Sequence, residues 1–289
     1  MGGVGLALGG GGITGSGHVG VICALEEEGI PIHSVVGTSA GAMVAVLYAS
    51  GHTGAQLARM VPELTGRLLD YNILGAFQRM LALSKQQLPG VIRGRRLYRY
   101  MREATGGRGM SNLPLPVAVT ATDLCSGREV LFTNRTVNMD PLEPQTEIIY
   151  QAEAAEAVLA SMSIPGLFRP VKLGNRLLVD GGLMDNCPAA ALKAIGATGL
   201  LAVNLVSAKP LFPPHWTFSS ILSRSLNLGL HRMSRAETGY SDLVLSPDVA
   251  EMGLLDFSCI SQCMEEGYDC ARKQMDAIRK LAEGVRCND

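Results

Sequence analysis

The sequence predicts an α/β fold built on a parallel sheet. Two observations carry this. Within the first 51 residues a short buried strand, a glycine-containing turn and a helix occur twice in succession, the pattern of parallel strands joined by helical crossovers. The composition agrees: 47% hydrophobic, 18% charged, 34 Gly and only 5% aromatic suit a loop-rich α/β chain better than a β-sandwich. A length of 289 residues is what one large domain needs, and there is no internal repeat or low-complexity linker.

The elements follow in order. Leu6-Ala7-Leu8 is an apolar run ending in glycines, hence a buried strand. Residues 18–28 form a helix stopped by Gly29, residues 34–36 a second buried strand, and residues 40–50 an apolar helix closed by Gly51. Residues 55–110 read as a helical insertion or cap-like region, best at 55–61 and 95–104, broken by Pro62, Pro89-Gly90 and Gly106-Gly107. Strands return at 117–121 and 130–132, and residues 146–161 read as helix. A strand over 176–179 ends at Asp180, and a helix over 188–195 stops at Gly196. A buried strand over 200–206, a helix over 219–234, a strand over 243–245 and a closing helix over 260–282 complete the chain.

Several function classes are excluded. A net charge of −1 lacks the basic footprint of a nucleic-acid binder. Seven cysteines, an odd number spread over a long chain, suit reduced thiols in a cytosolic protein. Cys259, Cys263 and Cys270 come without a His or a paired Cys-x-x-Cys, so no metal site is expected. The first Lys or Arg is Arg59, so the basic start of a signal peptide is missing, and position 6 is Leu6 where myristoylation wants Ser or Thr.

Three loops carry chemistry. The first, Gly9-Gly10-Gly11-Gly12-Ile13-Thr14-Gly15, joins a strand to a helix and exposes successive N–H groups, an anion site. The anion is either a cofactor phosphate or an oxyanion formed in acyl transfer. The dinucleotide reading needs an acidic residue at the end of the second strand, where Val36-Gly37-Thr38-Ser39 has none. The second loop, Gly37-Thr38-Ser39-Ala40-Gly41, matches G-x-S-x-G, the sharp strand-to-helix turn that lifts a Ser hydroxyl above a sheet. Ser39 is then the nucleophile, with the Ala40 N–H beside it for an oxyanion. A base is required. Of five histidines only His215 and His231 come late enough for a Ser-His-Asp order, and neither ends a strand. The third loop, Leu177-Leu178-Val179-Asp180-Gly181-Gly182, puts a carboxylate at a strand end on a glycine hinge. Asp180 there is either a direct base for Ser39 or a turn or cap residue.

Together the loops resemble the patatin-like phospholipase family: a Gly-rich oxyanion loop, a G-x-S-x-G elbow and a late D-G-G/A. Supporting segments agree, among them His18-Val19-Gly20-Val21, Ser161-Met162-Ser163-Ile164-Pro165-Gly166-Leu167-Phe168 and Ser246-Pro247-Asp248-Val249. The resemblance runs from residue 5 to about residue 275 and is weak over 55–110. It implies a three-layer α/β/α fold with a mainly parallel central sheet, over one catalytic domain spanning 1–289. It also implies a Ser39–Asp180 dyad without a catalytic His, and backbone N–H groups of Gly10, Gly11 and Gly12 around the oxyanion. Neither a metal nor a cofactor is called for. The implied substrate is a lipid ester, phospholipid or lysophospholipid, met by a cytoplasmic protein in peripheral contact with a membrane surface.

The family usually carries Arg or Lys where this chain has Thr14, so a fixed cation is missing beside the oxyanion loop, and Arg169 is a candidate to replace it. The alternatives are a general short-to-medium-chain esterase or thioesterase, or a regulatory module on the same fold. The Arg93–Arg102 basic cluster is either a solvated helix face or a contact for phosphate head groups. The loop around Phe212, Trp216 and Phe218 is either a lid or lipid anchor, or packs its rings into the core.

Overall fold

The computed structural model describes residues 2–63, 90, 92–206, 218–249 and 257–284. β1 (Val4–Leu8) leads through a tight turn over Gly12–Ser16 into α1 (Gly17–Glu27). β2 (Ile32–Gly37), α2 (Ala40–Ala49) and α3 (Gly54–Glu63) follow, then α4 (Arg95–Ala104), β3 (Val117–Asp123), β4 (Arg128–Thr133) and β5 (Glu147–Ile149). α5 (Ala154–Ser161), β6 (Val171–Leu173), β7 (Arg176–Asp180), α6 (Ala189–Ala194) and β8 (Leu200–Val203) come next. The described chain closes with α7 (Phe218–Glu237), β9 (Leu243–Leu245), α8 (Ile260–Lys273) and α9 (Met275–Gly284).

The strands form a sheet of order β5-β4-β3-β2-β1-β8-β9, with β7 attached to β3 and β6 to β7. Pairs β1–β2, β1–β8, β2–β3, β4–β5 and β8–β9 are parallel. Strand alternation divides the core in two. Leu6, Leu8, Val35 and Val119 face one side, with the buried residues of α1, α2, α5 and α8. Ala7, Val36, Ala118 and Ala202 face the other, with Ala189, Ala191 and Leu192 of α6. This is the three-layer α/β/α arrangement.

One feature of the register prepares the site. β2 runs parallel to β3 and ends with Gly37 opposite Val119. β7 runs antiparallel along the same strand and ends with Asp180 opposite Ala121. The two strands therefore approach head-on, and their ends stop two β3 positions apart, roughly 7 Å at strand rise.

Four sequence expectations change. The helix expected over 146–161 begins only at Ala154, because residues 147–149 pair with β4 as a short strand. The strand expected to reach residue 206 stops at Val203. Pro62 lies inside α3 instead of ending it. The closing helix is two helices, interrupted at Gln274 where no Gly or Pro marks it; the turn lets Met275 and Ile278 of α9 reach the core. The β6–β7 hairpin, turning on Gly174 at φ 60°, was not anticipated.

Of the basic cluster, Arg95, Arg96, Arg99 and Arg102 form the exposed outer side of α4 and Arg93 is exposed just ahead of it, while Leu97 and Met101 are buried. Arg102 pairs with Glu153 at 3.0 Å. The loop carrying Phe212 and Trp216 lies outside the described residues. Among the described residues no helix is long and apolar enough to cross a membrane.

Candidate active site

Ser39 sits between β2 and α2 at φ 54°, the only non-glycine residue with positive φ among those described. This conformation is strained for an L-residue and persists only where its surroundings hold it. The surroundings are visible. The Ser39 N–H donates to Ser161 Oγ at 2.8 Å, in a buried bond across 122 residues. Thr38 Oγ1 donates to the Asp185 carbonyl at 2.8 Å and lies 2.7 Å from Thr120 Oγ1, so Thr120 donates to it. The motif glycines are required by crowding. A Cβ on Gly37 would lie 2.3 Å from the Gly41 backbone, and one on Gly41 would lie 2.1 Å from the Leu8 carbonyl. A Cβ on Gly15 would lie 2.3 Å from that of Ala40, so the first glycine loop touches the elbow directly.

Asp180 arrives at the end of β7. Ser39 Oγ donates to Asp180 Oδ2 at 2.7 Å, across 141 residues of sequence. The Gly182 N–H donates to Oδ1 at 2.8 Å. Both side chains are buried. Burial pushes the Asp180 carboxyl up to about 6, against the Ser39 and Gly182 hydrogen bonds, which favour the carboxylate. At neutral pH this is an ionised carboxylate with higher proton affinity than that of an exposed Asp.

The glycine loop divides its amides. Gly9 N–H donates to Val203 O at 3.0 Å. Gly10 N–H, expected among the oxyanion donors, donates to Asn186 O at 2.9 Å. The N–H groups of Gly11, Gly12 and Ala40 have no acceptor among the described residues. Ala40 follows Ser39 directly, and a Cβ on Gly10, next to Gly11, would lie 3.4 Å from that of Ser39.

No described histidine touches Ser39. His18 is buried, its ring pushed down to about 4 by burial and therefore neutral. Its Nε2–H donates to the Gly9 carbonyl at 2.7 Å. His231 Nδ1 bonds the Val206 carbonyl at 3.2 Å, His52 that of Ala104 and His33 that of Thr198. His215 lies outside the described residues. The Arg169 guanidinium makes no hydrogen bond to the glycine loop, and its buried Nε has no partner among the described residues.

Sequence reasoning missed the supports of the loop after Asp180. Glu237 Oε2, from α7, accepts the N–H groups of Asn186 (3.1 Å) and Cys187 (2.8 Å). Asn186 Nδ2 donates to Ser234 Oγ at 3.0 Å. Burial raises the carboxyls of Glu129, Asp185 and Glu237, Glu129 to about 7. Ser161 was visible as part of a motif, but nothing in that segment announced a bond to the elbow.

The family model for patatin-like phospholipases matches residues 6–193. An uncharacterized NTE family protein of Mycobacterium tuberculosis is 34% identical over 206 residues, covering 70% of this chain and 49% of that protein. Lysophospholipase NTE1 of Saccharomyces cerevisiae is 25% identical over 294 residues, covering 93% of this chain and 16% of that protein. The chain thus spans at most about half the length of these curated relatives. Among solved structures, VipD from Legionella pneumophila superposes with a TM-score of 0.58 at 16% identity, over 96% of this chain and 67% of that one.

Proposed function

The chain belongs to the patatin-like phospholipase family, and on that premise we propose that it is a serine acyl hydrolase of lipid carboxylic esters, working through a Ser39–Asp180 dyad. The observation that carries the reading is the 2.7 Å hydrogen bond from the strained Ser39 to a buried carboxylate, beside three backbone N–H groups that have no acceptor among the described residues. In the proposed reaction Asp180 takes the hydroxyl proton as Ser39 Oγ attacks the ester carbonyl. The negative charge on the carbonyl oxygen is met by the N–H groups of Gly11, Gly12 and Ala40. Collapse of the intermediate expels the alcohol, which takes the proton from Asp180 and leaves an acyl-Ser39. Water, giving a proton to Asp180, then attacks the acyl carbonyl, and the fatty acid departs as Ser39 recovers its hydrogen.

A lysophospholipid or phospholipid is the proposed substrate, supported by the family and by a relative named as a lysophospholipase. We place the encounter at a membrane surface as a peripheral contact. Labelling with a fluorophosphonate probe, followed by mass spectrometry of products from a panel of short esters, lysophospholipids and phospholipids, tests the reading. A Ser39 adduct and release of fatty acid are expected; an unlabelled Ser39 in folded protein overturns it.

The base also predicts a pH profile. Only the carboxylate form of Asp180 accepts a proton, so kcat/KM on a soluble ester should rise with pH through about 6. A profile already level between pH 5 and 8 would contradict Asp180 as the base.

A further inference from the structure

Resting on the serine-hydrolase reading, we propose that Thr14 is a positioning residue: its hydroxyl clamps the Gly11–Gly12 peptide so that the Gly12 N–H is held open for the oxyanion. Thr14 is buried, and its Oγ1 donates to the Gly11 carbonyl at 2.8 Å. It lies directly on that residue, since a Cβ at Gly11 would come within 2.6 Å of Oγ1. In a trans peptide the C=O of one residue and the N–H of the next point in opposite directions. Holding the Gly11 carbonyl on the Thr14 side therefore turns the Gly12 N–H away from it.

A clamp is needed because glycine peptides reorient at little steric cost. A flipped Gly11–Gly12 unit would present a carbonyl oxygen where a donor is required, and repulsion would replace stabilisation. The neighbouring unit shows the same device with both ends occupied. The Gly9 carbonyl is held by His18 Nε2–H at 2.7 Å, and the Gly10 N–H by Asn186 O at 2.9 Å. In the Gly11–Gly12 unit the carbonyl is held and the N–H has no acceptor among the described residues. The loop is pinned against the elbow on both sides of this unit. A Cβ on Gly10 would lie 3.4 Å from that of Ser39, and one on Gly15 would lie 2.3 Å from that of Ala40. The position where the family usually has a cation thus holds a hydroxyl spent on aiming a neutral donor.

The test compares wild type with Thr14→Val, Thr14→Ala and Thr14→Ser. It reads the rate of fluorophosphonate labelling of Ser39, and kcat and KM on a soluble p-nitrophenyl ester, with thermal melting to confirm folding. Loss of a whole oxyanion donor costs roughly 10²–10³ in rate, so a misaimed one should cost about 10-fold in labelling and in kcat. KM should move less than about 2-fold, since the interaction belongs to the transition state. Thr14→Ser keeps the hydroxyl and should stay within about 2-fold of wild type. Thr14→Val and Thr14→Ala labelling as fast as wild type, or Thr14→Ser as slow as Thr14→Val, overturns the proposal. Should one apolar variant fail to fold, the other supplies the comparison. Failure of wild type itself to label sinks the serine-hydrolase reading instead, so the two failures are distinguishable.

Discussion

Replacing Asp180 with Asn should abolish ester turnover and, at the same time, make the protein harder to unfold. The first effect follows from removing the titratable group that, among the described residues, is bonded to the Ser39 hydroxyl. Without a base the hydroxyl is a weak nucleophile, and a loss of at least about 10³-fold is expected, matched by Ser39→Ala. The second follows from the cost of burying a charge. The carboxyl rises from 3.8 to about 6 in the folded protein, so the folded state binds its proton more tightly than the unfolded chain does. That contribution favours folding below pH 3.8 and is lost as pH climbs through about 6. Above pH 6 the ionised group therefore costs about 3 kcal/mol. Asn carries no charge, its Oδ1 can still accept from Gly182 N–H, and its Nδ2 can donate to Ser39 Oγ. Urea unfolding at pH 8 should show Asp180→Asn more stable than wild type by about 1–3 kcal/mol, with the difference fading near pH 4. A variant that is inactive and also less stable at pH 8 would mean that the carboxylate holds the fold together, contrary to this account.

Gly41→Ala should be among the most damaging single-methyl changes in the molecule. The added carbon would sit 2.1 Å from the Leu8 carbonyl oxygen and 2.8 Å from that of Gly9. Neither can yield cheaply. Leu8 O accepts the Thr38 N–H at 3.1 Å, and Gly9 O is held by His18. Relief must come from parting α2 from the glycine loop, which moves Ser39 away from that loop. Overpacking typically costs 1–3 kcal/mol, and a clash with fixed backbone belongs at or above the top of that range, about 3 kcal/mol or more. Gly229→Ala is the control. It lies within α7 with nothing near the added carbon, and should be neutral or stabilising by up to about 1 kcal/mol. Equal unfolding midpoints for the two variants would show that the elbow is looser than these distances require.

Much of the architecture was legible because it is written locally. Strand runs such as Leu6-Ala7-Leu8 and the glycine stops at Gly29 and Gly196 read correctly, since periodicity and turn chemistry act over a few residues. Two of the differences share one cause. Residues 147–149 become a strand only because β4 lies beside them, and the break at Gln274 serves the burial of Met275 and Ile278. Neither neighbour is visible in the local sequence. The site divides the same way. Ser39 and Asp180 announced themselves by glycines that a sharp turn demands, while Ser161, Asn186 and Glu237 did not, because a hydrogen-bonding side chain in a helix or loop carries no local sign of its partner.

From the sequence alone come the α/β class, the glycine loop after the first strand, the G-x-S-x-G turn that follows it and the carboxylate at a later strand end. Which amides of that loop are free, how far the Asp180 proton affinity rises and what holds the strained serine in place belong to the tertiary structure. The physical reason is the head-on arrival of β2 and β7 along β3. That pairing closes a distance of 141 residues to one hydrogen bond of 2.7 Å and removes water from both ends of it. Proton affinity and amide pairing are properties of such an enclosure, and no short stretch of chain contains it.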